Sequence, residues 1–271
     1  MFKLGFSSLG CPAYTVDQVI ALAKGNGFSG VELRFLRGQV DLPALEELSA
    51  ARIGETRRRF RDAGIDVVSI DTSVRMNSLD EADRQKQLEA SRANAAIADG
   101  LGAPYMRVYG GPLPAHQDRD ATLNAIVDGL SRVADDARAR GVTALIETHD
   151  AFSTSESVLD LFARGVSPNL AVLWDTLHTH RHGEAAAHTW ARLGPRIKLV
   201  HLKDSATSSA EGFDLVLTGT GTAPIPSFLE VLKAARYDGY VDFEWEKAWH
   251  PEIEEPEVAI PHFARYMSAR A

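Results

Sequence analysis

The chain has 271 residues, 45% of them hydrophobic and 24% charged, which is typical of one large globular α/β domain. Its formal net charge of -8 argues against nucleic acid as a partner, because phosphate backbones attract basic surfaces. Every apolar run is interrupted before the roughly 18 residues that a membrane span needs, so no membrane partner is expected.

The sequence carries few signals for targeting or for disulfide chemistry. Its single cysteine, Cys11, has no partner for an internal disulfide and no evident acid-base partner, so we expect an inert thiol. The opening MFKLGFSSLG has neither the basic region nor the long apolar region of a signal peptide. These features predict a cytoplasmic protein.

Short apolar segments that end near polar residues recur along the chain. Eight are found, and such near-continuous apolar strands are typical of a parallel sheet covered on both faces. They are FKLGFS at 2–7, GVELR at 30–34, IDVVSID at 65–71, YMRVYGG at 105–111, TALIETHD at 143–150, LAVLWD at 170–175, IKLVHLKD at 197–204 and YVDFEWE at 240–246.

Segments with apolar residues at three-to-four spacing follow the strands and predict helices. In the first, Thr15 is a candidate N-cap and the glycines at 25 and 27 end the helix; in the second, Pro43 lies in the first turn. Eight strand-and-helix units predict a closed (β/α)8 TIM barrel, formed by a single domain over residues 1–271. The helical segments are 15–27, 41–64, 81–102, 119–141, 155–165, 183–194, 226–239 and 256–271.

The last four predicted strands end in Glu147, Asp175, His201 and Glu244. Taken singly, each is compatible with a polar residue placed where a strand meets water. In a TIM barrel, however, strand ends converge on one mouth, where three carboxylates and an imidazole would require a compensating cation. The set predicts one bound divalent metal ion, with Mn, Mg or Co preferred and Zn also compatible.

The sequence around these residues resembles a known family. DTLH at 175–178, HLKD at 201–204 and GYVDFEWE at 239–246 are similar to motifs of the xylose-isomerase-like TIM barrels of the sugar phosphate isomerase/epimerase family. The similarity follows the strand order over essentially the whole chain. It is specific for fold and metal site and less specific for the reaction.

The resemblance implies that Glu147, Asp175, His201 and Glu244 bind the metal, and that Glu147 and Glu244 act as bases on opposite faces of a small carbohydrate substrate. The expected reaction is isomerisation or epimerisation, by proton abstraction next to a carbonyl through a metal-stabilised enediolate. Loss of a β-hydroxyl or β-glycosyl group would make the same site a dehydratase or lyase. Resembling ketose 3-epimerases have an arginine six positions after the strand-seven histidine, where this chain has Thr207, which argues against free ketoses.

Two histidines are candidate substrate ligands. His178 ends a D-x-x-H motif, whose histidine hydrogen-bonds substrate in the resembling epimerases; the alternative is a solvated loop histidine. His149 lies two residues after Glu147 and either reaches the mouth or packs at the start of the next loop.

Three further charged residues are expected near the mouth. Lys203 lies on the same side of its strand as His201, unless it forms a surface ion pair with Asp204. Arg107 is a candidate for binding substrate carboxylate or hydroxyl, and Glu32 is assigned to the same mouth; the alternative is an ion pair of Arg107 with Glu32 or another acid.

Several other features have weaker interpretations. Trp245 and Trp249 are candidates for an apolar wall beside the substrate, or for ordinary loop packing. The GTGT at 219–222 lacks the Lys-Ser/Thr of a P-loop and predicts a turn. His180 and His182 lie farther along the loop than His178 and are expected to face solvent.

Two other functional classes were considered. Nucleases of the endonuclease IV kind need extra metal-binding histidines that this sequence lacks at matching places. A non-catalytic carbohydrate-binding subunit is disfavoured by the four intact ligand positions. The sequence leaves open which substrate is used and whether the chain forms a homo-oligomer.

Overall fold

Parallel strands close into a central barrel in the computed structural model, which describes residues 2–270. In chain order the barrel strands are β1 (Lys3–Ser7), β2 (Gly30–Leu33), β3 (Asp66–Arg75), β4 (Tyr105–Tyr109), β5 (Thr143–Glu147), β6 (Ala171–Asp175), β7 (Ile197–Leu202) and β10 (Tyr240–Phe243). Neighbouring strands in the barrel follow this order, and β10 pairs with β1 to close it. The predicted TIM barrel is confirmed.

Helices surround the barrel and pack their apolar faces on its outer surface. Thr15 caps the first helix through a capping box, as expected, and Asp80 and Asp118 cap two later helices. The helices are α1 (Val16–Gly25), α2 (Ile53–Ala63), α3 (Glu81–Leu101), α4 (Arg119–Arg138), α5 (Ser155–Ala163), α6 (Thr176–Arg181), α7 (Ala186–Leu193), α8 (Ile225–Ala234) and α9 (Pro256–Ser268).

The predicted helix over 41–64 is correct only in its second half. Two short 3₁₀ turns, Leu42–Ala44 and Glu46–Leu48, occupy the first half, and α2 begins at Ile53. Leu45 and Ser49 have extended backbone dihedrals, so the chain buries Leu42 and Leu48 without a continuous helix.

Two structured segments between the predicted units were missed. An antiparallel hairpin, β8 (Asp204–Ser208) and β9 (Phe213–Val216), lies between β7 and α8, and the short α6 directly follows β6. The hairpin is mostly polar, so it lacks the apolar run by which the barrel strands were found. It extends from the end of β7, beside the mouth of the barrel.

The barrel interior is layered because strand side chains alternate between the two faces. Val68, Leu145, Leu173, Leu199 and Tyr240 form a buried apolar cluster of their own, separate from the core beneath the helices. Two residues farther along three of these strands stand Glu147, Asp175 and His201. The fold therefore places these polar side chains above an apolar floor, toward the carboxyl ends of the strands.

None of the helices within residues 2–270 has the length and apolar character needed to cross a membrane.

Candidate metal centre and active site

The four predicted ligands meet at the carboxyl ends of β5, β6, β7 and β10. Glu147, Asp175, His201 and Glu244 each offer one ligand atom, and these atoms lie within 4.8 Å of one another. All four side chains are buried. The alternation that places them above the apolar floor therefore builds a compact set of three carboxylates and one imidazole.

The donor atoms suit a divalent cation. Oε1 of Glu147 and Nδ1 of His201 are buried and, among the described residues, form no hydrogen bond of good geometry, although Nδ1 lies 3.2 Å from Oε1 of Glu244. The other ring nitrogen of His201, Nε2, lies 2.8 Å from Oε1 of Glu32, which favours a proton on Nε2 and a lone pair on Nδ1. Carboxylate oxygens with one imidazole nitrogen are ligands that Mn, Mg, Co and Zn accept. The residues present therefore fit a metal ion.

Two basic side chains neutralise part of this acidic set. Nη1 of Arg107 lies 2.6 Å from Oε2 of Glu147 and 3.7 Å from Oε1 of Glu244. The expected ion-pair alternative for Arg107 is thus present, with Glu147 as the partner.

Lys203 lies inside the centre. Its Nζ is 2.8 Å from Oδ2 of Asp175, 2.6 Å from Oε1 of Glu246, and also bonds Glu244. The side chain is only 1% exposed, which rules out the surface ion pair with Asp204. Asp204 instead accepts hydrogen bonds from the backbone of Gly219 and Gly221, so the GTGT segment is a turn, as predicted.

The carboxylates of the centre differ in acidity. Burial disfavours the charged form of Glu147, but the adjacent Arg107 outweighs it and lowers the pKa to about 2. Burial raises the pKa of Asp175 to about 6 in spite of Lys203. For Glu244, Lys203 and His201 overcome burial and hold the pKa well below its usual range. Glu147 and Glu244 are thus ionised near neutral pH.

His178 is buried and not a solvated loop residue. Its backbone N–H bonds Oδ1 of Asp175 at the start of α6, and its Nδ1 accepts from Nε of Arg181 at 3.1 Å. The neutral ring therefore carries its proton on Nε2, which lies 3.7 Å from Oδ2 of Asp175 and faces the centre. Burial lowers the pKa of His178 well below its ordinary value, which favours this neutral donor.

His149 reaches the mouth, as one of its two interpretations proposed. Its ring packs against those of Tyr109 and His178, with centroids 4.8 and 4.5 Å apart, and its Nδ1 lies 3.1 Å from Oδ1 of Asp150. The Asp150 contact and nearby Glu147 raise its pKa in spite of burial.

Glu32 lies behind the centre. Its side chain is fully buried and contacts the far side of His201. Asp71 and Asp242 are close to it, and burial raises the pKa of Asp71 to about 8 and that of Asp242 well above its usual range. This placement favours orientation of His201 by Glu32 over the expected contact with substrate.

A cavity of about 460 Å³ opens above the centre. Its lining includes Glu244, Arg107, Arg34, Arg75 and Trp249. Trp249 is 52% exposed and is available as an apolar wall, whereas Trp245 is fully buried and donates to the backbone oxygen of Glu254. Of the two predicted tryptophans, only Trp249 faces the cavity.

Three further residues at the centre or in the cavity lining were not predicted: Glu246, Arg34 and Arg75. Glu246 follows Glu244 by two residues, so strand alternation was an available signal for it. Arg34 directly follows β2, in a place equivalent to the ligand positions. Arg75 lies at the end of a strand that is longer than predicted and carried no signal of its own. His180 and His182, which were expected to face solvent, are half-buried: His180 packs against Phe228, and Nδ1 of His182 lies 2.9 Å from the backbone oxygen of His178.

The chain is similar to known proteins in sequence and in structure. The family model described as xylose isomerase-like TIM barrel matches residues 20–267. No curated protein matches the sequence significantly.

Solved structures match over almost the whole chain. The probable 3-DHS dehydratase AsbF of Bacillus anthracis, involved in petrobactin synthesis, has a TM-score of 0.83 at 17% identity and covers 100% of both chains. An L-ribulose 3-epimerase has a TM-score of 0.81 at 19% identity, covering 99% of this chain and 94% of its own. The IOLI protein with a bound zinc atom has a TM-score of 0.81 at 19% identity, covering 99% and 97%. At these identities the similarity establishes the fold.

Proposed function

The chain belongs to the xylose isomerase-like TIM barrel family, and from this premise we propose that it is a divalent-metal-dependent isomerase or epimerase of a carbohydrate-like substrate. The reaction is proton transfer at a carbon next to a carbonyl. One observation carries the proposal: Glu147, Asp175, His201 and Glu244 gather their ligand atoms within 4.8 Å, in a buried set at the mouth of the barrel. The solved structures of similar fold include an epimerase, a dehydratase and a zinc-bound protein, which supports this class of enzyme.

The metal would be held by these four residues. When bound, a divalent cation supplies a Lewis acid that polarises a carbonyl and stabilises the negative charge developing on its oxygen. Oε1 of Glu147 and Nδ1 of His201, which form no hydrogen bond within residues 2–270, are the ligand atoms that such an ion would bind.

Glu147 and Glu244 are proposed to take and return the proton. They lie at the ends of β5 and β10, which β6 and β7 separate in the barrel, so they approach a substrate in the mouth from different directions. Arg107 keeps Glu147 ionised and fixes one of its oxygens. A proton removed on one face by one glutamate and returned on the other by the second inverts the carbon.

The remaining polar residues are proposed to position substrate. His178 presents an Nε2–H donor toward the centre because its Nδ1 is bonded to Arg181. His149 lines the cavity and offers a second imidazole near Glu147. Both are suited to donate to substrate hydroxyl or carbonyl oxygens.

A dehydratase or lyase is the second candidate, and Lys203 favours it. Elimination of a β-hydroxyl requires a base for the carbon-bound proton and an acid that protonates the leaving oxygen. Lys203 places a buried ammonium beside Asp175 and Glu244, where it can hydrogen-bond the departing oxygen, and His149, whose pKa is raised, can supply the proton with which the group leaves as water. Thr207 stands at the position where the resembling ketose epimerases have an arginine. Its hydroxyl donates to the carboxylate of Asp214 in the hairpin.

Both candidates are tested by a screen of ketoses, inososes and 3-keto-glycosides in heavy water with Mn- or Mg-loaded enzyme. NMR should locate deuterium at the carbon next to the carbonyl, and the identity of the product separates epimerisation from elimination. Glu147→Gln and Glu244→Gln should abolish exchange, and Glu230→Gln on the exposed face of α8 should not. A substrate deuterated at that carbon that turns over without washout or an isotope effect would contradict the proposal.

A further inference from the structure

Two arginines at the mouth have no acidic partner within residues 2–270. The other charged groups lining the cavity are paired: Arg107 with Glu147, Glu244 and Glu246 with Lys203, and Asp150 with His149. Arg34 and Arg75 line the same cavity, and neither forms an ion pair with any carboxylate of residues 2–270. The lining of the cavity thus carries uncompensated positive charge at Arg34 and Arg75.

Arg34 is held in one orientation although it lacks a counter-ion. Its Nη2 donates to Oγ of Ser73 at 2.7 Å, and its Nη1 is 3.4 Å from the backbone oxygen of Asp71. The guanidinium carbon lies 5.6 Å from the ring centroid of Phe35 and 5.8 Å from that of Trp249. The backbone N–H of Arg34 bonds Oγ of Ser8, which fixes the start of the loop. Because the side chain is already held in place, ligand binding costs less conformational entropy.

The charge of Arg34 is placed where it is unfavourable without a ligand. The residue is 5% exposed, and burial together with Arg107 lowers the pKa of its guanidinium. A buried charge that lacks an ionic partner is destabilising, and an anion entering the cavity would relieve it. Arg75 stands two residues beyond Ser73, and both side chains are exposed at the end of β3.

We propose that Arg34, together with Arg75, binds an anionic group of the substrate, a carboxylate or a phosphate, in the cavity that opens above the metal centre. The inference rests on the proposed function, because the same small molecule must place its reacting carbon at Glu147 and Glu244. Arg34 and Glu244 line the same cavity. Its volume of about 460 Å³ is sufficient for a substrate of sugar size. A planar guanidinium is the side chain best suited to paired contacts with such an anion.

Binding without turnover tests the inference. Isothermal titration calorimetry of the metal-loaded protein would compare D-glucuronate and glucose 6-phosphate with D-glucose as the uncharged control. We expect at least one anionic sugar to bind about tenfold more tightly than glucose, as expected for a charge-assisted hydrogen bond. The tighter of the two anions identifies carboxylate or phosphate as the preferred group.

Variants locate the effect. Arg34→Gln should remove the preference for the anion, Arg75→Gln should reduce it, and Arg58→Gln on the exposed face of α2 should leave it unchanged. Circular dichroism confirms that each variant folds, and Arg34→Lys keeps the charge should Arg34→Gln misfold, with partial retention expected. Absence of a preference in the wild type, or a preference that persists in both Arg34→Gln and Arg75→Gln, would overturn the inference. Because no turnover is measured, loss of deuterium exchange alone would overturn only the proposed reaction.

Discussion

Nε2 of His201 lies 2.8 Å from Oε1 of Glu32, on the side of the imidazole that faces away from the other three candidate ligands. The contact joins residues 169 positions apart in the sequence, one on β2 and one on β7. Carboxylates placed in this way fix the tautomer and orientation of a metal-binding histidine and increase its basicity.

Glu32→Gln should therefore weaken metal binding although Glu32 is not a ligand. We expect the Kd for Mn²⁺ to rise about 10- to 100-fold, because the amide no longer provides the charge that orients the ring. Calorimetric titration of the metal-free protein measures this effect. Glu46→Gln, at an exposed side chain, is the matched control and should bind Mn²⁺ as the wild type does. An unchanged Kd in Glu32→Gln would exclude the positioning role.

His178→Ala should retain its metal and lose turnover. Its imidazole contacts Asp175 only at 3.7 Å, and its backbone N–H, which caps α6, is unaffected by the substitution. We expect kcat/KM to fall by about 10²- to 10⁴-fold on a substrate identified by the screen, with metal content unchanged. Wild-type rates in the variant would show that His178 does not act on substrate.

Lys203→Met should make the metal-free protein less stable than the metal-free wild type. Metal binding should then stabilise the variant more than it stabilises the wild type. Removal of the ammonium leaves Asp175 and Glu244 without their buried cation, which a divalent ion can then replace. The rise in Tm on addition of Mn²⁺ should exceed that of the wild type. Lys198→Met, at an exposed position on β7, should show the wild-type rise. An equal or smaller rise in Lys203→Met would mean that the lysine and the metal do not compete for the same carboxylates.

The strands and the placement of the four candidate ligands were predictable because they depend on local patterns. Each ligand directly follows an apolar run, and alternation along a strand fixes the face on which it lies. Lys203 was placed correctly by the same alternation from His201. The division of the segment 41–64 into two 3₁₀ turns and α2 was not predictable, since Leu45 and Ser49 adopt extended conformations that their neighbours did not indicate.

Contacts between distant strands account for most of what the sequence could not show. Whether Glu32 meets substrate or His201, and whether Arg107 meets substrate or Glu147, depends on distances across the barrel. Trp245 is buried and Trp249 is exposed, although the two are only four residues apart in the sequence. The hairpin β8–β9 has a polar sequence whose pairing carries no strong apolar signal.

Asp71 predicts a specific pH dependence of stability. Burial and the charge of Glu32 raise its pKa from the ordinary 3.8 to about 8. Between these two pH values the unfolded chain has released a proton that Asp71 of the folded protein still holds, so the free energy of unfolding falls as pH rises. The fall ends above about pH 8, where Asp71 is ionised in both states. Urea unfolding of the metal-free wild type and Asp71→Asn, at about pH 5 and about pH 8, measures it. We expect the variant to gain stability relative to the wild type at the higher pH; a difference that does not change with pH would contradict the assigned protonation.

Metal content of the purified protein tests the central claim most directly. We expect elemental analysis after loading with Mn²⁺ and gel filtration to find about one ion per chain in the wild type, and most of it to be lost in Glu147→Gln and His201→Ala. Glu230→Gln should retain the full amount. Absence of bound metal in the loaded wild type, or unchanged occupancy in both ligand variants, would contradict a metal centre formed by Glu147, Asp175, His201 and Glu244.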